Sequence, residues 1–66
     1  MQAQEQIRNW ADSGGRKLGW LALNVPVNPS TMSRWMMGRA IPSAVYRNRI
    51  ADITGIEELR EEESWK

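Results

Sequence analysis

The stretch VNPSTMSRWMMGR, residues 27–39, carries the start and stop signals of one short helix. Asn28 is a favoured N-cap residue, and Pro29 suits the first helical position, because an N–H there has no partner within the helix. Gly38 favours the left-handed conformation that ends many helices. The signals together predict a helix over residues 29–37.

The predicted helix has an apolar side and a small, hydroxylic, cationic side, as its spacing at 3.6 residues per turn indicates. Met32, Trp35 and Met36 share the apolar side and are predicted to be buried. Small side chains on the other side permit close approach of a second molecule, and an arginine there favours an anionic one. We interpret the segment as a DNA-recognition helix. Its outer side carries Pro29, Ser30, Ser33, Arg34 and Met37.

Charged residues are unevenly distributed along the chain, although the net charge is only +1. The 38 residues from Ser13 to Ile50 contain no Asp or Glu, whereas residues 57–66 are mainly acidic. This asymmetry predicts an anion-facing surface on one side of the domain. The alternative is a solvated helical surface whose bias is accidental. The basic residues of the acid-free stretch are Arg16, Lys17, Arg34, Arg39, Arg47 and Arg49.

The composition narrows the possible chemistry. A chain of 66 residues makes one domain, and with no cysteine it has neither disulfides nor thiolate metal sites. Without histidine it lacks the usual general base and the commonest metal ligand. No stretch has the apolar length of a signal peptide or membrane span. We therefore expect a cytoplasmic non-enzyme with no cofactor, metal, small-molecule ligand or membrane partner.

Further helices are predicted on both sides of residues 29–37. The first covers residues 2–12, and the second runs from residue 16 to about 24. Pro42 or Ser43 starts a fourth that reaches about residue 54. A last short helix at 57–64 has Leu59 as its only strong anchor, and its acidic run is expected to be a solvated face that frays.

The second helix is predicted to bury one stripe and to carry a basic pair at its start. Arg16 and Lys17 would oppose the helix dipole in the first turn, which is easier to explain if a phosphate binds there. Gly19 indicates either close approach of a helix or DNA backbone, or a tolerated weak position. Trp20 lies off the stripe and is expected to pack against the first helix. The stripe itself comprises Leu18, Leu21, Ala22 and Val25.

The turn between the second and third helices contains two prolines, of which Pro26 disfavours a helical conformation for Val25. Val25 and Val27 are predicted to be core residues that hold the two helices at an angle.

The order and spacing of these segments resemble the phage Cro/repressor-type, or XRE-like, helix-turn-helix family. The resemblance covers roughly residues 6–60, and residues 27–43 are its specific part. It implies a single all-α domain over residues 1–66, a compact bundle of about five short helices of lambda repressor-like type. The helix-turn-helix would lie at about 16–37, with an acidic C-terminal segment at 57–66. The matching residues are Leu21-Ala22, Val27, Ser30-Thr31-Met32-Ser33-Arg34-Trp35, Gly38-Arg39-Ala40-Ile41-Pro42-Ser43 and Ile50-Ala51-Asp52-Ile53-Thr54-Gly55-Ile56.

The family resemblance also implies a function. Its members are mostly transcriptional regulators that bind operator DNA as dimers, so we expect a Cro-like repressor of phage or prophage type in the bacterial cytoplasm. It would bind double-stranded DNA as a homodimer on a near-palindromic operator, with half-site centres roughly 34 Å apart. Ile56, Leu59 and Trp65 are candidates for the dimer seam, because they are apolar and lie beyond the DNA-reading unit.

The resemblance assigns roles to individual residues. Base-reading positions are Pro29, Ser30, Thr31 and Arg34. Phosphate-binding positions are Asn28, Ser33 and Arg39, to which we add Arg16 and Lys17. Arg47 and Arg49 are either phosphate contacts, solvated, or paired with the acidic tail. The core of the helix-turn-helix comprises Leu18, Leu21, Ala22, Val27, Met32 and Trp35.

The chain departs from the family pattern at two positions. The family often has Gly in the turn where this chain has Pro26, so we expect Asn24 to take the left-handed conformation instead. It also often has a phosphate-binding Gln where this chain has Leu18, so Lys17 or Arg16 would supply that contact. The competing hypothesis is a small helical protein-interaction module, antitoxin-like or adaptor-like, that uses an exposed patch at Trp20, Met37 or Trp65.

Overall fold

Four α-helices make up most of residues 2–66, the part of the chain that the computed structural model describes. Two 3-10 helices follow them at the C-terminal end, and no strand occurs within these residues. The all-α prediction is confirmed at this level. The α-helices are α1 (Ala3–Gly14), α2 (Leu18–Asn24), α3 (Pro29–Met36) and α4 (Ala44–Thr54), and the 3-10 helices are Glu57–Arg60 and Glu62–Trp65.

The predicted fifth helix is absent as one continuous element, so the expected count of about five α-helices is wrong. Glu61 is extended (φ −83°, ψ 128°) and separates the two 3-10 helices. On an uninterrupted α-helix, Leu59 and Trp65 would point about 120° apart. The interruption lets both enter the core, where they are 0% and 2% exposed. Leu59 is therefore not the only anchor of the acidic segment.

The boundaries of the first two helices differ from the predicted ones. α1 continues to Gly14, because Gly15 rather than the preceding residues takes the left-handed conformation (φ 65°). α2 begins only at Leu18, and Lys17 is its extended N-cap residue (φ −97°, ψ 151°). Arg16 and Lys17 thus precede the helix instead of occupying its first turn.

The turn between α2 and α3 is built differently from the prediction. Val25 is helical (φ −59°, ψ −42°), and its N–H donates to the Leu21 carbonyl at 3.0 Å, so it extends the buried stripe of α2. The Val25–Pro26 peptide bond is cis, and no non-glycine residue among 2–66 has a positive φ. The expected left-handed Asn24 is wrong. Asn24 instead donates its Nδ2–H to the Trp20 carbonyl at 2.7 Å.

One hydrophobic core joins all six elements. Leu18 and Val27, which were predicted to be core residues, are only partly buried and pack against its edge. The Trp35 ring lies 5.4 Å from that of Tyr46, which ties α3 to α4. The buried cluster comprises Ala3, Ile7, Leu21, Ala22, Val25, Met32, Trp35, Met36, Ile50, Ala51, Leu59 and Trp65.

Arg60 connects the end of the chain to α4. Its guanidinium group forms ion pairs with Asp52 and Glu57 and donates to the Asn48 carbonyl at 3.3 Å. Hydrogen bonding to Arg60, with its positive charge, lowers the pKa of the Glu57 carboxyl from its ordinary value. None of the helices in residues 2–66 has the length and apolar character needed to cross a membrane.

Candidate nucleic-acid interface

Helix α3 presents the two faces that its sequence predicts. Met32, Trp35 and Met36 are buried, and Thr31 is half-buried at the boundary. The outer side is solvent-exposed along the whole helix and continues past its C-terminal end. The exposed residues of this side are Pro29, Ser30, Ser33, Arg34 and Met37.

Two polar side chains of α1 fix the C-terminal end of α3. Gln4 donates from Nε2 to the Trp35 carbonyl at 2.9 Å, and Arg8 donates from Nη2 to the Met36 carbonyl at 3.3 Å. The Trp35 carbonyl also accepts from the Gly38 N–H at 3.1 Å. The last carbonyls of a helix have no partner within it, and Arg8 supplies one to the Met36 carbonyl. Sequence reasoning missed both contacts. The only available signal was that Gln4 and Arg8 are four residues apart and hence on one side of α1.

The N-terminal end of α3 is capped by Asn28. Its Oδ1 accepts a hydrogen bond from the Ser30 N–H at 2.8 Å, and Pro29 occupies the first helical position. Asn28 was predicted to contact phosphate. The structure gives its side-chain oxygen a local role, so only its amide N–H2 group remains available to a phosphate.

The exposed side of α3 carries an arginine whose side chain has no polar partner in the described part of the chain. Neither Arg34 nor Arg39 makes a side-chain hydrogen bond or ion pair with residues 2–66, and both side chains are exposed. The Arg39 N–H donates to the Arg34 carbonyl at 2.9 Å, which places both residues at the C-terminal end of α3. Ser33 Oγ lies 3.6 Å from the Sδ of Met37, one turn further along.

A groove of about 360 Å³ runs between the start of α2 and the outer side of α3. Leu18 and Gly19 line one wall, whereas Pro29, Ser33 and Met37 line the other. A Cβ on Gly19 would meet no atom within 4 Å, so this glycine does not serve close packing of another helix within the domain. Two interpretations of Gly19 remain. It either permits close approach of a DNA backbone or is a tolerated position of low helix propensity.

The basic pair before α2 lies at one end of this groove. A second depression contains Arg16, Lys17 and Asp12, and it shares Arg8 and Leu18 with the first. Lys17 is exposed and has no ion pair among residues 2–66. The start of α2 and the outer side of α3 therefore border one continuous surface.

The predicted packing of Trp20 against the first helix is confirmed. Its ring lies 6.1 Å from that of Trp10, and Trp20 remains 42% exposed. The guanidinium carbon of Arg16 lies 4.9 Å from the Trp10 ring centre and 5.3 Å from that of Trp20. Sequence reasoning did not foresee this contact of Arg16 with two aromatic rings.

Arg47 and Arg49 are bound to backbone carbonyls. Arg47 donates to Pro42 at 2.8 Å and to Arg60 at 3.1 Å, and Arg49 donates to Val25 at 3.3 Å. Neither forms an ion pair with the acidic tail, so that alternative is wrong. The basic residues whose side chains have no hydrogen-bond partner in the described chain are therefore Arg16, Lys17, Arg34 and Arg39.

Two of the three residues expected at a dimer seam are inside the monomer. Leu59 is 0% and Trp65 2% exposed, because both anchor the C-terminal segment to the core, and Ile56 is half-buried. Burial also removes Trp65 from the exposed patch of the competing hypothesis. Within residues 2–66, the large apolar side chains that do reach solvent are Trp20, Leu23, Met37, Ile41 and Val45.

Residues 2–66 contain no group of three or more carboxylate side chains arranged to hold a metal ion. Comparisons of the chain with protein-family profiles, with curated proteins and with solved structures give no significant match.

Proposed function

We propose that this protein is a sequence-specific double-stranded DNA-binding transcriptional regulator, a Cro-like repressor whose α2, turn and α3 act as a helix-turn-helix. The main support for the proposal is Arg34, which lies among small side chains on the exposed face of α3. Its side chain makes no hydrogen bond or ion pair with residues 2–66. The opposite face and both ends of that helix are held by the core, by Asn28 and by α1. A rigid helix with a low, cationic outer surface suits the major groove, which is about 12 Å wide.

The proposed contacts divide by chemistry. Arg34 offers two parallel N–H donors to guanine O6 and N7, and Ser30 and Thr31 offer hydroxyls to base edges. Pro29 offers only apolar contact. Phosphate contacts from Lys17, Arg16, Ser33, Arg39 and the Asn28 amide group would supply most of the affinity and no sequence preference.

One such domain would cover a single half-site, so we propose a homodimer on a near-palindromic operator. Half-site centres would lie roughly 34 Å apart, one turn of the double helix. Leu23 and Val45, at 75% and 59% exposed, are the most exposed large apolar side chains among residues 2–66. They replace Leu59 and Trp65 as seam candidates.

The test is selection of bound sequences from a random duplex pool, followed by titration of selected and scrambled duplexes at about 50 and 200 mM salt. The wild-type protein is expected to prefer the selected duplex, and its affinity should fall steeply with salt. Arg34→Ala should reduce the preference by about 1–3 kcal/mol while lowering affinity for scrambled DNA much less. Arg34→Lys should keep the salt dependence and lose most of the preference, because an ammonium group cannot form the two parallel bonds.

The charge-matched control is Arg60→Ala, which removes one positive charge from a residue that faces Asp52 and Glu57. It should leave the preference ratio unchanged, with folding of every variant checked by circular dichroism. Equal losses on selected and scrambled DNA after Arg34→Ala would exclude a base-reading role for Arg34. No salt-sensitive binding at micromolar protein would contradict the proposed function.

A protein-interaction module is the second candidate, and the exposed Leu23 and Val45 side chains favour it. The same titrations separate the two functions, since a module of this kind has no reason to bind duplex DNA. Leu23→Ser would then weaken partner binding, whereas Arg34→Ala would not.

A further inference from the structure

The side chain of Arg16 contacts two aromatic rings. Its guanidinium carbon lies 4.9 and 5.3 Å from the ring centres of Trp10 and Trp20, within the range of about 6 Å over which a cation is attracted to an aromatic face. The side chain also crosses the end of α1, where a Cβ on Gly14 would lie 3.4 Å from Arg16 Nη1, so the glycine leaves room for it. The contacts with the two tryptophans restrict a side chain that is ordinarily flexible.

The restricted guanidinium group keeps its hydrogen-bond donors free. The attraction between a cation and an aromatic ring gives the N–H donors of the guanidinium group no oxygen acceptor. The Arg16 side chain donates to no acceptor among residues 2–66, and Asp12, which lines the same depression, forms no ion pair with it. Arg47 and Arg49 instead donate to backbone carbonyls.

The position of Arg16 relates this cluster to α3. The depression that contains Arg16 shares Arg8 and Leu18 with the groove beside the outer side of α3. A DNA strand that lay along both depressions would pass Arg16. Contact with the two rings removes part of the rotamer freedom of Arg16 in advance, so less is lost when a phosphate binds.

We infer that Trp10 and Trp20 are positioning residues that hold Arg16 as a phosphodiester contact at the flank of α3. The inference rests on the proposed function, because it names how one backbone contact of that interface is made. Its distinguishing consequence is that Trp20 affects DNA affinity only through Arg16.

A double-mutant cycle on DNA affinity tests this consequence. Arg16→Ala should weaken duplex binding roughly tenfold and reduce the salt slope by about 1, on selected and scrambled duplexes alike. Trp20→Leu, which keeps apolar contact with Trp10, should weaken binding severalfold when Arg16 is present. In the Arg16→Ala background, the same Trp20→Leu change should have no effect on affinity. Arg16→Lys keeps the charge without the planar group, so Trp20→Leu should matter less in that background.

Ile41→Ala is the matched control, because Ile41 is an apolar residue outside the Arg16 cluster and, at 40% exposed, is close to Trp20 in exposure. Its effect should be small and the same in both Arg16 backgrounds. Thermal unfolding of each variant shows whether the fold is intact. If Trp20→Leu weakens binding equally with and without Arg16, Trp20 acts through the fold alone and the inference is overturned. If the wild-type protein does not bind duplex DNA, the proposed function is wrong, and the inference, which depends on it, is wrong as well.

Discussion

Trp65 provides the strongest test of how the C-terminal segment is held. Its side chain is 2% exposed, and its indole Nε1–H donates to the Leu59 carbonyl at 2.9 Å in a buried hydrogen bond. The sequence alone suggested a short helix at 57–64 with Leu59 as its only strong anchor and an acidic run that frays. The structure instead makes Trp65 the last fixed point of the core, where the second 3-10 helix contacts α1.

The expected loss in the free energy of unfolding follows from the burial of the Trp65 side chain. Replacing a buried Trp by Ala typically costs about 3–5 kcal/mol. At roughly 0.05–0.15 kcal/mol per residue, the whole stability of a 66-residue domain is about 3–10 kcal/mol. Trp65→Ala should therefore remove much or all of the free energy of unfolding. Trp65→Phe keeps an aromatic ring and loses the N–H donor, so it should cost about 1–2 kcal/mol.

The assays are urea denaturation at 25 °C and thermal unfolding, both monitored by far-ultraviolet circular dichroism. Trp65→Ala should shift the midpoint close to zero urea, and Trp65→Phe should lower the melting temperature by about 4–8 °C per kcal/mol lost. Leu23→Ala, at a 75% exposed position, should stay within about 0.5 kcal/mol of the wild type. A loss below about 1 kcal/mol for Trp65→Ala would mean that the segment is not docked, and the reasoning would be refuted.

Three smaller predictions follow from individual contacts. Gly19→Ala should stabilise the domain by about 1 kcal/mol in urea denaturation, because the new methyl group meets only open space, and no gain would contradict that geometry. Asn28→Ala should cost about 1 kcal/mol in thermal unfolding while Asn28→Ser costs little, since serine also accepts from the Ser30 N–H; equal losses would exclude the capping role. Because the folded pKa of Glu57 is lowered, its stabilising effect should be present above an ordinary pKa of about 4.3 and disappear as the pH falls through the folded value. Melting temperatures of Glu57→Gln and wild type should thus differ at pH 7 and converge in acid, and a constant difference would rule out the ion pair with Arg60 as the cause.

The recognition-helix candidate was the most predictable part of the molecule. Its N-cap at Asn28, its stop at Gly38 and its two faces are all local signals that act over a few residues. The structure ends α3 at Met36, one residue before the predicted limit. The stripe of α2 was predictable for the same reason, and Val25 continues it despite the following proline.

The candidate interface was only partly predictable. The sequence indicated six basic residues in an acid-free stretch, but not that Arg47 and Arg49 donate to carbonyls 5 to 24 positions away. It also did not indicate that Trp10 and Trp20 contact the Arg16 guanidinium group, because the turn that brings α1 and α2 together has no periodicity to show it. The arginines that remain free of polar partners are identified only by the packed structure.

The chain by itself determined where α3 lies, which of its sides is buried and which side carries hydroxyls and Arg34, because capping and amphipathic spacing act within a few residues. Tertiary structure alone decided how α3 is held and which cations remain available to a partner. Gln4 reaches the Trp35 carbonyl across 31 positions of the sequence, and Trp65 enters the core only because Glu61 interrupts the last helix. Contacts of that range depend on the path of the whole chain, which no local pattern specifies.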